Sequence, residues 1–151
     1  MFDQSFIDRL RLTPRGEQII SIARRQAEKR SQSEIRPELV LLGVALLEQG
    51  VAYGIFEKKL SIADLRKNLE KALIPGAASQ TSRPLAEDTK KALLVARREA
   101  NKLMHSYVGT EHIILGVLAG KNGACKILKK MGIELKQMRK HILEGLSPLG
   151  I

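Results

Sequence analysis

Cys125 and the three histidines, His105, His112 and His141, are the residues in this 151-residue chain best suited to nucleophilic attack or metal ligation. A thiolate nucleophile needs a base beside it, and a structural zinc needs four ligands at characteristic spacings. The chain contains neither CxxC nor HExxH. Cys125 falls beside Ile127 and Leu128 in an apolar helical register, the usual setting of a buried structural thiol. No GxxxxGK[ST] run offers a nucleotide phosphate loop, and no GxSxG run presents an activated serine. Gly120-Lys121-Asn122-Gly123 has the composition of a surface turn between helices. The basic clusters Lys126-Lys129-Lys130 and Lys136-Arg139-Lys140 are spaced for solvated helix faces. These patterns predict no catalytic residue, no metal and no cofactor.

The elements that carry these residues are helical and duplicated. Shifting the sequence by 73 positions lays Leu12–Leu73 on Leu85–Leu146 without a gap. Fifteen of the 62 pairs are identical, among them Arg24/Arg97, Arg25/Arg98, Glu38/Glu111, Gly43/Gly116 and Gly50/Gly123. About four would be expected by chance at this composition. Others exchange one aliphatic for another, such as Ile35/Val108 and Leu41/Ile114.

In the first copy, Thr13-Pro14 is a helix start and predicts a helix to about Arg30. Ser31–Arg36 is a loop, Pro37 opens a second helix and Gly50 closes it. A short helix over about 51–58 follows, and Ser61-x-x-Asp64 starts the last one, which ends near Leu73. The second copy repeats the pattern, with helices ending near Met104, Ala119, Lys130 and Leu143. The expected fold is all-α, one domain of residues 1–151. Repeat one covers about 12–73, a Pro/Gly/Ser linker about 74–84, and repeat two about 85–146, the repeats packing about a pseudo-twofold axis.

Composition agrees with a packed helical core. Apolar residues make up 44% and aromatics only 3%, with no Trp, so Leu, Ile, Val, Ala and Met must fill the interior. The net charge is +10. Residues 1–73 carry +3 and residues 74–151 carry +7, a field that draws acidic partners. One cysteine forbids an intrachain disulfide and fits a reducing cytoplasm. The N-terminus lacks a secretory pattern, and no apolar stretch approaches the length of a membrane span.

The segment His105-Ser106-Tyr107-Val108-Gly109-Thr110-Glu111-His112-Ile113-Ile114-Leu115-Gly116-Val117-Leu118 resembles the signature of the Clp N-terminal (Clp R) repeat. Its continuation Gly123-Ala124-Cys125-Lys126-Ile127-Leu128 and the openings Leu12-Thr13-Pro14-Arg15 and Ala23-Arg24-Arg25 are similar to that family too. The resemblance implies two pseudo-repeats of four helices each. It also implies a non-catalytic domain at the front of ClpC-, ClpA- or ClpB-type AAA+ unfoldases, docking substrate and adaptor proteins. Through the ATPase modules, in cis or in trans, the implied partners extend to a Clp peptidase. The tail Ser147-Pro148-Leu149-Gly150-Ile151 reads as the start of a linker, which favours an excised domain over a stand-alone accessory protein.

In ClpC-type members the resemblance further implies phosphoarginine binding, with Glu38 and Glu111 contacting the guanidinium and Thr110 beside them. A carboxylate in the first turn of a helix can accept two guanidinium N–H bonds, while neighbouring free helix amides hold the phosphate. Arg36-Pro37-Glu38-Leu39 departs from the Gly-Thr-Glu-His pattern. Pro37 removes a hydroxyl and an N–H donor, so the first site is expected to be weak or lost. A helical nucleic-acid-binding protein is the competing reading of the charge. The second helices of each copy are too apolar for a recognition helix.

Overall fold

The computed structural model describes residues 3–79 and 83–146, and these form nine helices with two isolated β-bridges. The first helix, α1 (Gln4–Leu10), precedes the repeats. Then come α2 (Pro14–Lys29), α3 (Pro37–Leu47), α4 (Val51–Lys59) and α5 (Ile62–Ala72). The second repeat supplies α6 (Glu87–Lys102), α7 (Thr110–Ala119), α8 (Gly123–Lys130) and α9 (Leu135–Glu144). The tail from Ser147 and residues 80–82 of the expected linker lie outside the described residues.

The helix starts follow local chemistry. The Thr13 hydroxyl accepts from the Gly16 amide at 3.1 Å, and Ser61 accepts from the Asp64 amide at 3.1 Å. Side-chain oxygens thereby satisfy amides that have no intrahelical partner. Glu87 and Asp88 occupy the first turn of α6 without a side-chain cap, where their charge suits the helix dipole.

Gly50 differs from its expected role. Helix α3 ends at Leu47, Glu48 takes the left-handed turn at φ 58°, and Gly50, at φ 102°, is the N-cap of α4. Helices α3 and α4 meet at 89°. The chain therefore needs two unusual residues rather than one to redirect itself. A Cβ on Gly50 would also lie 2.9 Å from Thr110 Oγ1.

Within each repeat the first two helices pack closely. Gly43 on α3 lies against the Ile19 carbonyl of α2, and Gly116 on α7 lies against the Ala92 carbonyl of α6. These are equivalent pairs under the 73-residue shift, and at both a side chain would force the helices apart. Helices α3 and α7 are buried along nearly their whole lengths, which explains why they show no polar face. Among the described residues no single helix is long and apolar enough to cross a membrane.

Between the repeats the pairing is reciprocal. Thr13 N–H donates to Val108 O at 2.9 Å, and Val108 N–H to Arg11 O at 2.9 Å. The equivalent bonds on the other side are Ala86 N–H to Ile35 O at 3.0 Å and Ile35 N–H to Pro84 O at 2.8 Å. Each repeat's helix–helix loop is thus zipped to the entry of the other repeat's first helix, as a pseudo-twofold requires. The reciprocity loosens at one pair: Thr89 donates its hydroxyl to Ile35 O at 2.8 Å, where the first repeat has Gly16.

Two segments are more ordered than the sequence announces. Helix α1 is too short for periodicity to reveal; it buries Ile7 and Leu10. Ahead of it, Asp3 pairs with Lys90 at 3.6 Å and accepts from the Leu85 amide. The connecting segment after α5 is pinned to the α2–α3 loop by Gly76 N–H to Arg30 O and Ala78 N–H to Ser31 O.

Gly116→Ala is expected to destabilise the chain by about 1–3 kcal/mol through overpacking against the α6 backbone. Gly54→Ala, where a Cβ meets nothing within 4 Å, should stabilise by roughly 0.5–1 kcal/mol through helix propensity. Urea midpoints of the two variants check both signs.

Candidate binding cleft at the repeat boundary

An open cleft of about 340 Å³ is lined by Thr13, Pro14 and Arg15, by Gly50 and Val51, and by Gly109, Thr110 and Glu111. These are the starts of α2, α4 and α7, so three helix N-termini, two from the first repeat and one from the second, face one space. First-turn amides lack intrahelical acceptors and carry the positive end of the helix dipole. Arg15 adds a full positive charge and Glu111 a negative one. The cleft can therefore hold a ligand that is anionic at one end and cationic at the other.

Glu111 and Thr110 meet here as the sequence predicts. Thr110 is only 2% exposed. Its hydroxyl accepts from the Ala52 amide at 3.3 Å and donates to Glu111 Oε2 at 3.3 Å. It thus caps α4, which has no cap of its own, and orients the carboxylate. That carboxylate lies over Gly109, where a Cβ would stand 2.5 Å from Glu111 Oε1.

His112 fixes the turn that carries these groups. The Gly109 amide donates to His112 Nδ1 at 2.9 Å, and His112 Nε2 lies 2.9 Å from His105 Nδ1. An acceptor Nδ1 places the His112 proton on Nε2, directed at His105. The Glu111 Oε1 to His112 Nδ1 approach of 3.6 Å is therefore a contact of two acceptors, not an ion pair. Arg97 braces the same loop by donating to the carbonyls of Leu10, His105 and Ser106.

Glu38 lies elsewhere. It is 8% exposed, pairs with Arg36 at 3.7 Å and lies against Gly123 at the start of α8. The structure does not bring it to Glu111's cleft. Instead it faces the equivalent meeting of α3, α6 and α8. Cys125 donates its thiol to Val117 O at 3.2 Å, and burial pushes its pKa up, so it lies far from thiolate chemistry. His141 is in the last turn of α9. Among the described residues no group of three or more His, Cys, Asp or Glu could hold a metal. Lys126, Lys129, Lys130, Lys136 and Lys140 are exposed, while Arg139 is tied to the buried Glu99.

Sequence reasoning did not assign Thr13, Arg15, Gly50 or Val51 to the cleft, nor His112 to the turn behind it. The Thr13-Pro14 start and the Gly50/Gly123 identity were visible, but only the pairing of the repeats places them opposite Thr110.

Burial is the main cause that lowers the His112 pKa below its usual 6.5; the Glu111 charge opposes this, and the His105 and Arg97 charges add to it. The unfolded chain then takes up a proton that the native one refuses. The associated stability is full above about pH 6.5 and falls as pH drops below that value. His112→Asn keeps an acceptor for the Gly109 amide and removes the titration. It should flatten this part of the stability–pH profile in denaturant melts taken between about pH 5 and 8.

The chain matches the family model described as the Clp repeat (R) N-terminal domain over residues 11–131 and again over 85–149. It is 30% identical over 139 residues to the chaperone protein ClpB of Oceanobacillus iheyensis, and 30% identical to the negative regulator of genetic competence ClpC/MecB of Bacillus subtilis. Each match covers 91% of this chain and 17% of the relative, so the chain spans about a sixth of their length. Among solved structures it is similar to the Hsp104 N-terminal domain from Candida albicans, with a TM-score of 0.77 at 16% identity, over 89% of this chain and 90% of that one. It is also similar to the N-domain in a complex of the ClpV N-domain with a VipB peptide, with a TM-score of 0.74 at 14% identity, over 98% and 93%. With the duplicated four-helix repeat and the family match covering the same residues, this chain belongs to the Clp repeat (R) N-terminal domain family.

Proposed function

We propose that the chain docks substrate or adaptor proteins for an ATP-dependent Clp unfoldase and performs no chemistry itself. In this reading residues 1–151 act as one domain, because the cleft needs both repeats. AAA+ modules, in cis or in trans, and through them a Clp peptidase are the proposed partners, and the cytoplasm the proposed location. The peptide seated on the ClpV N-domain supports peptide docking on this fold.

The observation that carries the proposal is the convergence of α2, α4 and α7 N-termini with Arg15 and Glu111 on one open cleft. Phosphoarginine matches that charge pattern. Its phosphate suits the first-turn amides and Arg15, and its guanidinium suits the Glu111 carboxylate. Thr110 serves by aiming that carboxylate. The buried α3 and α7 leave no second helix free to enter a nucleic-acid groove, which weighs against the competing reading of the +10 charge.

Calorimetric titration of phosphoarginine into the domain tests this. Wild type should bind, and Glu111→Ala should lose about tenfold or more in affinity, the scale of one charge-assisted bidentate contact. Absence of heat with wild type would remove the phosphoarginine mechanism and leave adaptor docking as the role to pursue.

A further inference from the structure

The two glutamates that the 73-residue shift makes equivalent do not adopt the same pose. Position 36 corresponds to 109, 37 to 110, 38 to 111 and 123 to 50. Arg36 and Gly109 are the N-caps of α3 and α7, with nearly the same extended backbone, φ −91° and ψ 163° against φ −94° and ψ −177°. A side chain at 109 would therefore leave the backbone in about the direction that Arg36 does. At Gly109 that direction leads into Glu111, whose Oε1 would lie 2.5 Å from a Cβ. Glycine is what allows Glu111 to fold back over its own N-cap. Arg36 denies Glu38 the same pose.

Glu38 instead reaches across the repeat boundary. Its carboxylate lies so close over Gly123, the first residue of α8, that any Cβ there would collide with it. A carboxylate at that point is a resident anion on the first turn of α8, in the manner of a bound phosphate. Arg36 Nη1 stands 3.7 Å from Glu38 Oε2, and its Nη2 is held by Gln32 Oε1 at 2.7 Å. The guanidinium is thus fixed in place on the carboxylate.

The surroundings have changed in the same sense. Where α2 brings Pro14 and Arg15 to the second cleft, the equivalent first-turn positions of α6 are Glu87 and Asp88, whose charge disfavours a phosphate near that helix start. Pro37 has no hydroxyl to cap the opposing helix as Thr110 does. Helix α8 is capped by its own Asn122 instead, whose Oδ1 accepts from the Cys125 amide at 3.0 Å.

We infer that the first repeat's site is filled from within: Arg36 and Glu38 occupy it as a built-in guanidinium–carboxylate pair, leaving the Glu111 cleft as the open one of the two equivalent sites. Glu38 is then a strut between α3 and α8, not a ligand residue. The inference rests on the proposed function for what the open cleft binds, but not for what closes the other.

Two measurements separate these. In the first, phosphoarginine is titrated calorimetrically into wild type and into Arg36→Gly/Pro37→Thr. Wild type should show about one site per chain and the double variant about two. Two equivalent sites in wild type, or an unchanged single site in the variant, would overturn the inference. In the second, no ligand is used. Glu38→Gln should lower the melting temperature by about 3–6 °C, and Glu111→Gln by no more than about 1 °C. Equal shifts would overturn the inference. If wild type gives no heat with phosphoarginine, the ligand proposal fails, and the melting comparison alone decides whether Glu38 is a strut.

Discussion

Neither repeat can satisfy its own backbone. Ile35 and Val108 are fully buried in loops that offer them no partner, and their N–H and C=O groups pair with residues 11–13 and 84–86 of the opposite repeat, Ile35 O also accepting from the Thr89 hydroxyl. A buried amide or carbonyl left unpaired costs about 1–3 kcal/mol, so four such bonds bind the repeats more specifically than apolar contact alone. This exchange places the start of α2 beside the start of α7, and the start of α6 beside that of α3. The clefts are consequences of that placement. They lie at the repeat boundary because that is where helix N-termini from both halves are brought together.

Duplication has preserved the backbone contacts and released the sites. Gly43 and Gly116 hold equivalent positions because a carbonyl of the preceding helix occupies the space a side chain would need. Met104 and Ser31 both turn the loop at positive φ, 60° and 52°. Three of the pairs that differ, Arg36/Gly109, Pro37/Thr110 and Gln49/Asn122, stand at or beside the starts of α3, α7, α4 and α8. Their differences offset one another. Where Thr110 caps α4 across the boundary, Pro37 cannot do so for α8, and Asn122 takes over locally. One helix start takes its side-chain cap from the other repeat, and its counterpart takes it from its own.

The chemistry that looked most available in the chain is spent on structure. His112 presents Nδ1 to the Gly109 amide and Nε2 to His105, and Cys125 is a buried thiol bonded to Val117 O. These groups hold the turn before α7 and the packing of α8. The groups left for a ligand are less conspicuous: first-turn amides, one arginine and one carboxylate.

Much of the fold was legible in order. The 73-residue shift, the Thr13-Pro14 and Pro37 starts and Gly132 at the end of α8 mark eight of the nine helices to within a residue or two, because capping and periodicity are local. Helix α1 escaped because seven residues are too few for a periodic signal and their order comes from docking. Gly50 was visible as a breaker, but whether it ended α3 or began α4 depended on the 89° turn and on Thr110 behind it. Glu38 and Glu111 were read as a matched pair. Sequence alone determined that both stand in the first turn of a buried helix. Only the tertiary structure decided that they part company, because a carboxylate's pose is set by the free volume around it: an absent side chain at Gly109 and a present one at Arg36.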